Sequence, residues 1–389
     1  MGQIQYRAKV LLIEGRARQT LPLAKSFKKL GAEVTTYNGS RLDVGYASKY
    51  PHRKLLAFFD AKEPEKSLEA LRTELKKYHY DMVIPMNDDI AIQLSKNKKE
   101  LSKYTTPIVE DWETFQYACD KMKTMQVCMD NGIPCPKTFT SLDYFLESET
   151  SIIYPLVVKP RTGQAAVGFH LSDTKENVID YYKKAEQKYG PMLIQEYIPQ
   201  TDLQYKCEMY VDRNGILKAS CVFAKNRWYP VDGGSSTLNT TVDRPDIEET
   251  CKKLLEKIGW KGYADIDLIQ DPRDKVAKVM EINPRITGSV KICYAAGVNF
   301  SKLILQDFEG KEVEEAFNTN YGVQLRYMHT DVLWLLKSKN RFHSEPSWFN
   351  FKNCVHQIFG WDDIWPSVTY TIQGFKKLIN DKKKRSLKV

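Results

Sequence analysis

VMEINPRITGS, residues 279–289, breaks a short apolar run with Glu281, Asn283 and Arg285 at alternate positions. Strand side chains alternate between two faces, so these three share one face. Met280 and Ile282 fall on the other, which a core would claim. Just upstream, GYADIDLIQ (262–270) repeats the pattern with Asp265 and Asp267. The turn DPRD (271–274) joins the two segments, which predicts that they pair. Pairing would gather carboxylates and an amide oxygen on one face, with an arginine at its end. Such oxygen donors suit a hard cation, Mg²⁺ with Mn²⁺ as the alternative, rather than zinc. An arginine beside them suits phosphate or carboxylate. A solvent-facing sheet edge is the plainer reading of the same alternation.

Outward from these strands, YPLVVKPRTGQAAVGFHLSD (154–173) reads as strand, loop, strand. Lys159 ends the first strand, and the loop 161–169 holds Gly163 and Gly168. A lysine there can reach phosphates while glycines let backbone N–H groups approach phosphate oxygens. Lys121 is a second candidate cation, with Lys123 as its rival. MLIQEYI (192–198) reads as a strand, and the segment after Gln204 as a hairpin turning at Asn214-Gly215. Helices are predicted over 111–135, 174–189, 245–258 and 287–305. In AKNRWYPVDGGSSTLNT (224–240), Lys225 and Arg227 alternate and would hold an anionic substrate. The DGGSST turn adds N–H groups and hydroxyls.

The first 110 residues alternate strand and helix, beginning with KVLLIEG (9–15), and predict a parallel α/β layer. The turn EGRARQ after the first strand has one glycine, so it carries no dinucleotide fingerprint. The last 79 residues are aromatic and basic without a clean amphipathic period, and read as a helical appendage. A peripheral membrane contact, or one to a lipid-linked sugar, is the alternative there.

The composition, 42% apolar and 28% charged in 389 residues, is that of a folded chain. No apolar run approaches the roughly 18–20 residues of a membrane span. The N-terminus lacks the apolar stretch of a signal peptide. Eight scattered cysteines without a C-x-x-C fit reduced thiols and a cytoplasmic protein, at the inner face of the membrane if its tail touches lipid. The net charge is +9, but residues 375–389 hold seven Lys or Arg and one Asp. The body is therefore nearly balanced, and no nucleic-acid partner is expected. The tail reads as a solvated end.

The order of these motifs, D-K on a helix, Y-P-L-V-V-K with a loop, L-I-Q-E-Y-I, A-D-I-D-L-I and M-E-I-N-P-R, resembles the ATP-grasp superfamily over about 115–308. It looks most like carboxylate–amine ligases and carbamoyl-phosphate-synthase-like members. The resemblance implies a Rossmann-like N-terminal domain (1–110), an ATP-grasp domain (111–310) with a lid at about 125–190, and a C-terminal appendage (311–389). It implies that Lys121, Lys159 and Gly163 hold ATP phosphates, and that Gln195, Glu196 and Ile198 line the adenine. Gln204 or Glu208 would face the ribose or the adenine, although relatives often carry an acid where this chain has Gln204. Asp267, Glu281 and Asn283 would bind Mg²⁺. Arg285, with Lys159, would act on the transferred phosphoryl or the acceptor carboxylate. The implied reaction joins a small-molecule acid to an amine through an acyl phosphate, in polysaccharide or envelope metabolism, with a homo-oligomer allowed. The alternatives are a non-catalytic ATP-binding scaffold and an enzyme that phosphorylates bicarbonate.

Overall fold

A computed structural model describes residues 6–148, 152–163, 167–201, 203–231 and 233–386, with side chains as far as Lys376. The first layer comprises β1 (Lys9–Ile13), β2 (Glu33–Asn38), β3 (Arg53–Leu56), β4 (Met82–Pro85) and β5 (Thr106–Pro107). All are parallel, in the order β3-β2-β1-β4-β5. The β1 run KVLLI is buried from Val10 onward, as a strand covered on both faces must be. The helix Thr20–Lys29 buries Leu21, Leu23, Ala24 and Phe27. It ends before Gly31, whose φ of 94° suits glycine. Because the order reverses between β1 and β4, their carboxyl ends open a crevice.

The second unit is a four-stranded sheet of β6 (Thr138–Phe139), β7 (Leu156–Pro160), β8 (His170–Ser172) and β9 (Met192–Glu196), ordered β6-β9-β7-β8. Leu156, Val158, Met192 and Ile194 pack with Val178 and Tyr182 of the helix Lys175–Tyr189 into a core of their own. The opposite face carries Lys159, register partner of Leu193, and Val157, partner of Gln195. Leu193 belongs to the core of the large sheet, so this face meets that sheet. Residues 164–166 of the expected glycine loop, and Asp232 of the DGGSST turn, lie outside the described residues.

The large sheet contains β10 (Gln204–Val211), β11 (Leu217–Tyr229), β12 (Ser235–Thr241), β13 (Gly262–Gln270), β14 (Ala277–Asn283), β15 (Ala316–Phe317), β16 (Gln324–Arg326) and β17 (Cys354–His356). Its order is β14-β13-β10-β11-β12-β16-β17, with β15 beside β11. Cys207, Met209, Ala264, Ile266 and Leu268 face one core, beneath the helix Pro245–Ile258. Tyr210, Phe223 and Tyr263 face the other, which continues through Phe300 and Leu303 to Val10 and Leu12 of the first layer.

Several expectations change. The helix expected over 111–135 is two, Trp112–Cys119 and Lys121–Asp130, because Asp120 between them is extended. The Asp120 carboxylate accepts from the Met122 N–H at 3.0 Å and from Arg161. The helix expected over 287–305 is divided by Gly297 (φ 102°) into Lys291–Ala296 and Phe300–Phe308, after a 3₁₀ turn. A β-bulge lies on β14 opposite the Asp267–Leu268 step of β13, where Met280 has no partner on β13. Val279 and Ile282 therefore fill the core, and Met280 is only half-buried. The region after residue 311 is not wholly a helical appendage, since β15, β16 and β17 extend the large sheet.

Charge holds that region in place. Arg227 and Asp331 are 1% and 0% exposed and paired through two bonds of 3.0 and 3.1 Å. The Thr237 hydroxyl donates to the same carboxylate at 2.8 Å, and buried Arg326 lies 3.5 Å from it. Burial pulls the Arg227 pKa down, against the pull of Asp331. Removing the one carboxylate strands two buried guanidiniums. Asp331→Ala is expected to destabilise the chain by about 3–5 kcal/mol. A combined Arg227→Met/Asp331→Leu variant should lose less, which urea unfolding of the three proteins would measure.

Candidate active site

The polar half of one sheet face forms the site. In antiparallel register Lys206 opposes Asp267, Glu208 opposes Asp265, and Tyr210 opposes Tyr263. Asp265 opposes Asn283 and Asp267 opposes Glu281 on the next strand. Residues directly opposed share a face, so Asp265, Asp267, Glu281 and Asn283 stand together. Along this face the sheet changes from apolar, at Tyr210 and Tyr263, to charged, at Lys206 and Asp267. Asp265 and Glu208, both fully buried, mark the border.

Lys206 contacts both Asp265 and Asp267, and lies 3.2 Å from the second. Lys225 reaches the other oxygen of Asp267. The Asn283 amide donates to Asp267 at 2.8 Å. Burial disfavours ionised Asp267, but Lys206 and Lys225 outweigh it and hold its carboxyl below the usual range. Burial raises Asp265, against the pull of Lys206. Glu208 is pushed up to about 7 by burial, then by Asp265. It is fully buried and accepts from the hydroxyls of Ser289 at 2.8 Å and Thr287 at 3.3 Å. The assignment of Glu208 to ribose or adenine therefore finds no geometric support.

The residues expected to hold a nucleotide lie along the small sheet and where it meets the large one. Lys121 is 3.6 Å from Glu281, and its ammonium donates to the Gly163 carbonyl at 2.9 Å. Lys159 is half-buried, and its ammonium makes no hydrogen bond or ion pair with another described residue. Burial pushes it down to about 8, with Glu281 raising it and Lys121 lowering it. Lys123 points elsewhere and pairs with Gln116. The Gln195 amide donates to Thr138 at 2.8 Å, and Ile198 is buried. Glu196 is tied to Arg273 at 2.5 Å. Gln204, half-buried at the start of β10, donates to Gln200 at 3.2 Å.

The structure separates the two expected substrate cations. A bulge between Lys225 and Arg227 inserts one residue, so Lys225 opposes Asn239 while Arg227 opposes Leu238. Lys225 therefore faces the site, and Arg227 turns the other way into the buried pair with Asp331. Arg227 contacts no substrate space, which corrects its assignment.

A cleft of about 1080 Å³ opens beside the acidic strands. It is lined by Lys206, Lys225, Asn283 and Arg285, and by Arg16 and Arg18 from the carboxyl end of β1. Arg285 pairs with Asp88 at 2.8 Å, which keeps its pKa high against burial. Arg18 has no carboxylate partner among the described residues. It donates to Gln357 at 3.1 Å and lies 4.3 Å from the Tyr327 ring. The far wall comes from the C-terminal region, through Tyr327, His329 and Tyr370. Sequence reasoning missed Lys206 and Arg18. Lys206 shares strand parity with Gln204 and Glu208, a legible signal. Arg18 sits in a turn set aside for lacking a glycine motif.

Asp267, Glu281 and Asn283 supply hard oxygen donors close to two phosphate-range lysines, and this donor set fits Mg²⁺. The chemistry possible here is phosphoryl transfer beside a cationic cleft.

Comparison with known proteins agrees with this geometry. The model of the ATP-grasp domain matches residues 118–289. D-aspartate ligase from Enterococcus faecium is 26% identical over 370 residues, covering 88% of this chain and 86% of that one. D-alanine–D-alanine ligase from Pseudothermotoga lettingae is 24% identical, covering 61% of this chain and 91% of its own. The biotin carboxylase domain of Hydrogenobacter thermophilus 2-oxoglutarate carboxylase, solved with MgADP, ADP and bicarbonate, superposes with a TM-score of 0.68 at 15% identity. That match covers 82% of this chain and 74% of that one, and concerns the fold. With the parallel first layer, the small sheet and the acidic antiparallel strands all in place, the chain is an ATP-grasp superfamily protein related to carboxylate–amine ligases.

Proposed function

We propose that the chain is an ATP- and Mg²⁺-dependent ligase that joins a carboxylic acid to an amine through an acyl phosphate. The observation that carries this reading is Lys121 beside Glu281 on β14, the strand whose Asn283 lines a cleft with Lys206, Lys225 and Arg285. Lys121 and Lys159 bind the phosphates of ATP as compact point charges. Asp267, Glu281 and Asn283 hold Mg²⁺, which when bound neutralises charge on the transferring phosphoryl group. The acid lies in the cleft, and its carboxylate oxygen attacks the γ-phosphorus as the bond to ADP breaks. The amine nitrogen then attacks the acyl carbon, the C–O bond to phosphate breaks, and the nitrogen loses a proton. Arg285, fixed by Asp88, steadies the acyl oxygen as charge builds on it. Burial of the small-sheet face excludes water from the acyl phosphate.

Arg18 is the guanidinium in the cleft without a carboxylate of its own, so it anchors a second anionic group of the acid. The substrate class is thus an acid with more than one anionic group. The family resemblance to D-aspartate ligase supports an acidic amino acid as one of the two substrates.

ADP release from ATP and Mg²⁺ should require both an acid and an amine from a panel of polyanionic acids and amino acids. Glu281→Ala should lower kcat on the order of 10²–10³-fold, in the range seen for lost transition-state charge stabilisation. ATP turnover by wild type that ignores both substrates would sink the ligase reading. Arg18→Ala should raise KM for the acid about tenfold or more and leave KM for ATP unchanged. Equal shifts in both constants would remove Arg18 from the acid site.

The Lys159 pKa sets a pH limb. Depressed to about 8, the free lysine is protonated and competent below that pH and loses its proton above it. ATP affinity should therefore hold from pH 6 to pH 8 and then weaken, approaching tenfold per pH unit. Lys159→Arg, always protonated, should flatten this limb in a calorimetric titration at pH 7, 8 and 9.

A further inference from the structure

The helix Trp365–Ser386 carries large apolar side chains on its outward face. Its inward face buries Pro366, packs Tyr370 against Leu21, Val44 and Ile358, and adds polar bonds. The Tyr370 hydroxyl meets that of Tyr327 at 2.6 Å, Gln373 donates to Asp43 at 3.0 Å, and Thr371 meets His329 at 3.0 Å. Its outward face is apolar. Trp365 is 68% exposed, Val368 40%, Ile372 40% and Phe375 63%. Spacings of three, four and three residues put these on one stripe of a helix. Trp361, just before the helix, is 84% exposed. The acidic residues beside it are turned inward: Asp362 pairs with Lys25 at 2.6 Å, and Asp363 accepts from Ser48. The neighbouring helix Met328–Lys337 buries Asp331 and Trp334 and exposes Val332, Leu333 and Leu336. Leu333 and Phe375 both reach the margin of the cationic cleft.

A period that was not evident in the sequence is thus clear once the inward face is known. An outward stripe of this kind on a soluble surface marks a contact site. The cationic end of the chain decides the occupant. Residues 375–389 carry seven Lys or Arg and one Asp, and they follow Ile372 closely in the sequence. No described helix is long and apolar enough to cross a membrane. We propose that this surface docks on a bilayer carrying anionic phospholipid, with Trp361, Trp365, Val368, Ile372 and Phe375 in the headgroup–acyl boundary. Aromatic side chains favour that boundary, and each Lys or Arg near an anionic surface adds to the attraction. Docked in this way, the mouth of the cleft lies at the lipid surface. This inference stands apart from the ligase reading, because it requires no turnover.

The test is sedimentation of the full chain with phosphatidylcholine vesicles, with and without about 30% phosphatidylglycerol, at low and high salt. We expect at least tenfold tighter association with the anionic vesicles, weakened by salt, and a blue shift of tryptophan emission on binding. The variant Trp361→Ser/Trp365→Ser/Ile372→Ser, checked for an unchanged thermal midpoint, should lose about tenfold or more of that association. If the variant fails to fold, quenching of wild-type tryptophan by brominated lipid decides the matter alone. Wild type that stays in the supernatant, or emission that brominated lipid leaves unquenched, overturns the proposal. So does a concentration-dependent dimer that the same three substitutions abolish, which would assign the stripe to a second copy of this chain.

Discussion

The site depends on one ammonium, that of Lys206, set between Asp265 and Asp267. Two carboxylates two residues apart on one strand project from the same face into low-dielectric interior, and one of them is wholly buried. Burying a carboxylate without a counter-charge costs several kcal/mol, and a second nearby anion adds to that cost. The β10–β13 register places Lys206 directly opposite Asp267, which lets it touch both. A shift of one residue would turn Lys206 into the apolar core on the other side and leave both carboxylates without it. The same register puts Tyr210 against Tyr263, where the core of the first layer begins. Packing and charge therefore specify one alignment together.

That arrangement also explains why the acidic strands keep their form before any metal or nucleotide arrives. Lys206 and Lys225 hold Asp267 ionised. Its partners there are two flexible ammoniums and the Asn283 amide rather than backbone groups. Glu281, by contrast, is partly open and only 3.6 Å from Lys121. The site thus has a rigid, neutralised side on β13 and an adjustable side where β14 faces the small sheet.

Strand parity made much of this legible in advance. The alternation of Glu281 with Asn283, and of Asp265 with Asp267, was enough to gather them on one face, because adjacent antiparallel strands preserve it. Lys159 at a strand end was visible for the same reason. Two of the failures share a cause. The bulge at Met280 and the one before Arg227 each insert a residue, and parity beyond an inserted residue is reversed. Nothing local in KNRWY marks that reversal; it is imposed by Asp331, 104 residues later. Asp120 broke a helix through a tertiary bond to Arg161. Arg18 gained its position from a crevice that exists only when β1 and β4 lie side by side.

The C-terminal region shows how a wall can be fixed when its own apolar residues face outward. Val323, Leu325 and Ile358 join buried cores, and polar and ionic bonds add to that anchoring. Asp331 binds Arg227 from the large sheet, Arg326 donates to the carbonyls of Trp348 and Asn350, and Gln357 donates to Gly288 beside the acidic strands. Such bonds are directional, unlike apolar contact, and hold their partners at set angles. Directional anchoring suits a wall that must present Tyr327 and His329 to a cleft, and it frees the outer face from any packing duty. The Arg18 guanidinium lies on Tyr327 and bonds Gln357, so this wall touches the carboxyl end of β1 as well. The cleft is therefore closed by contributions from all three parts of the chain, and its cations are set by the first layer and the large sheet while its width is set by the C-terminal wall.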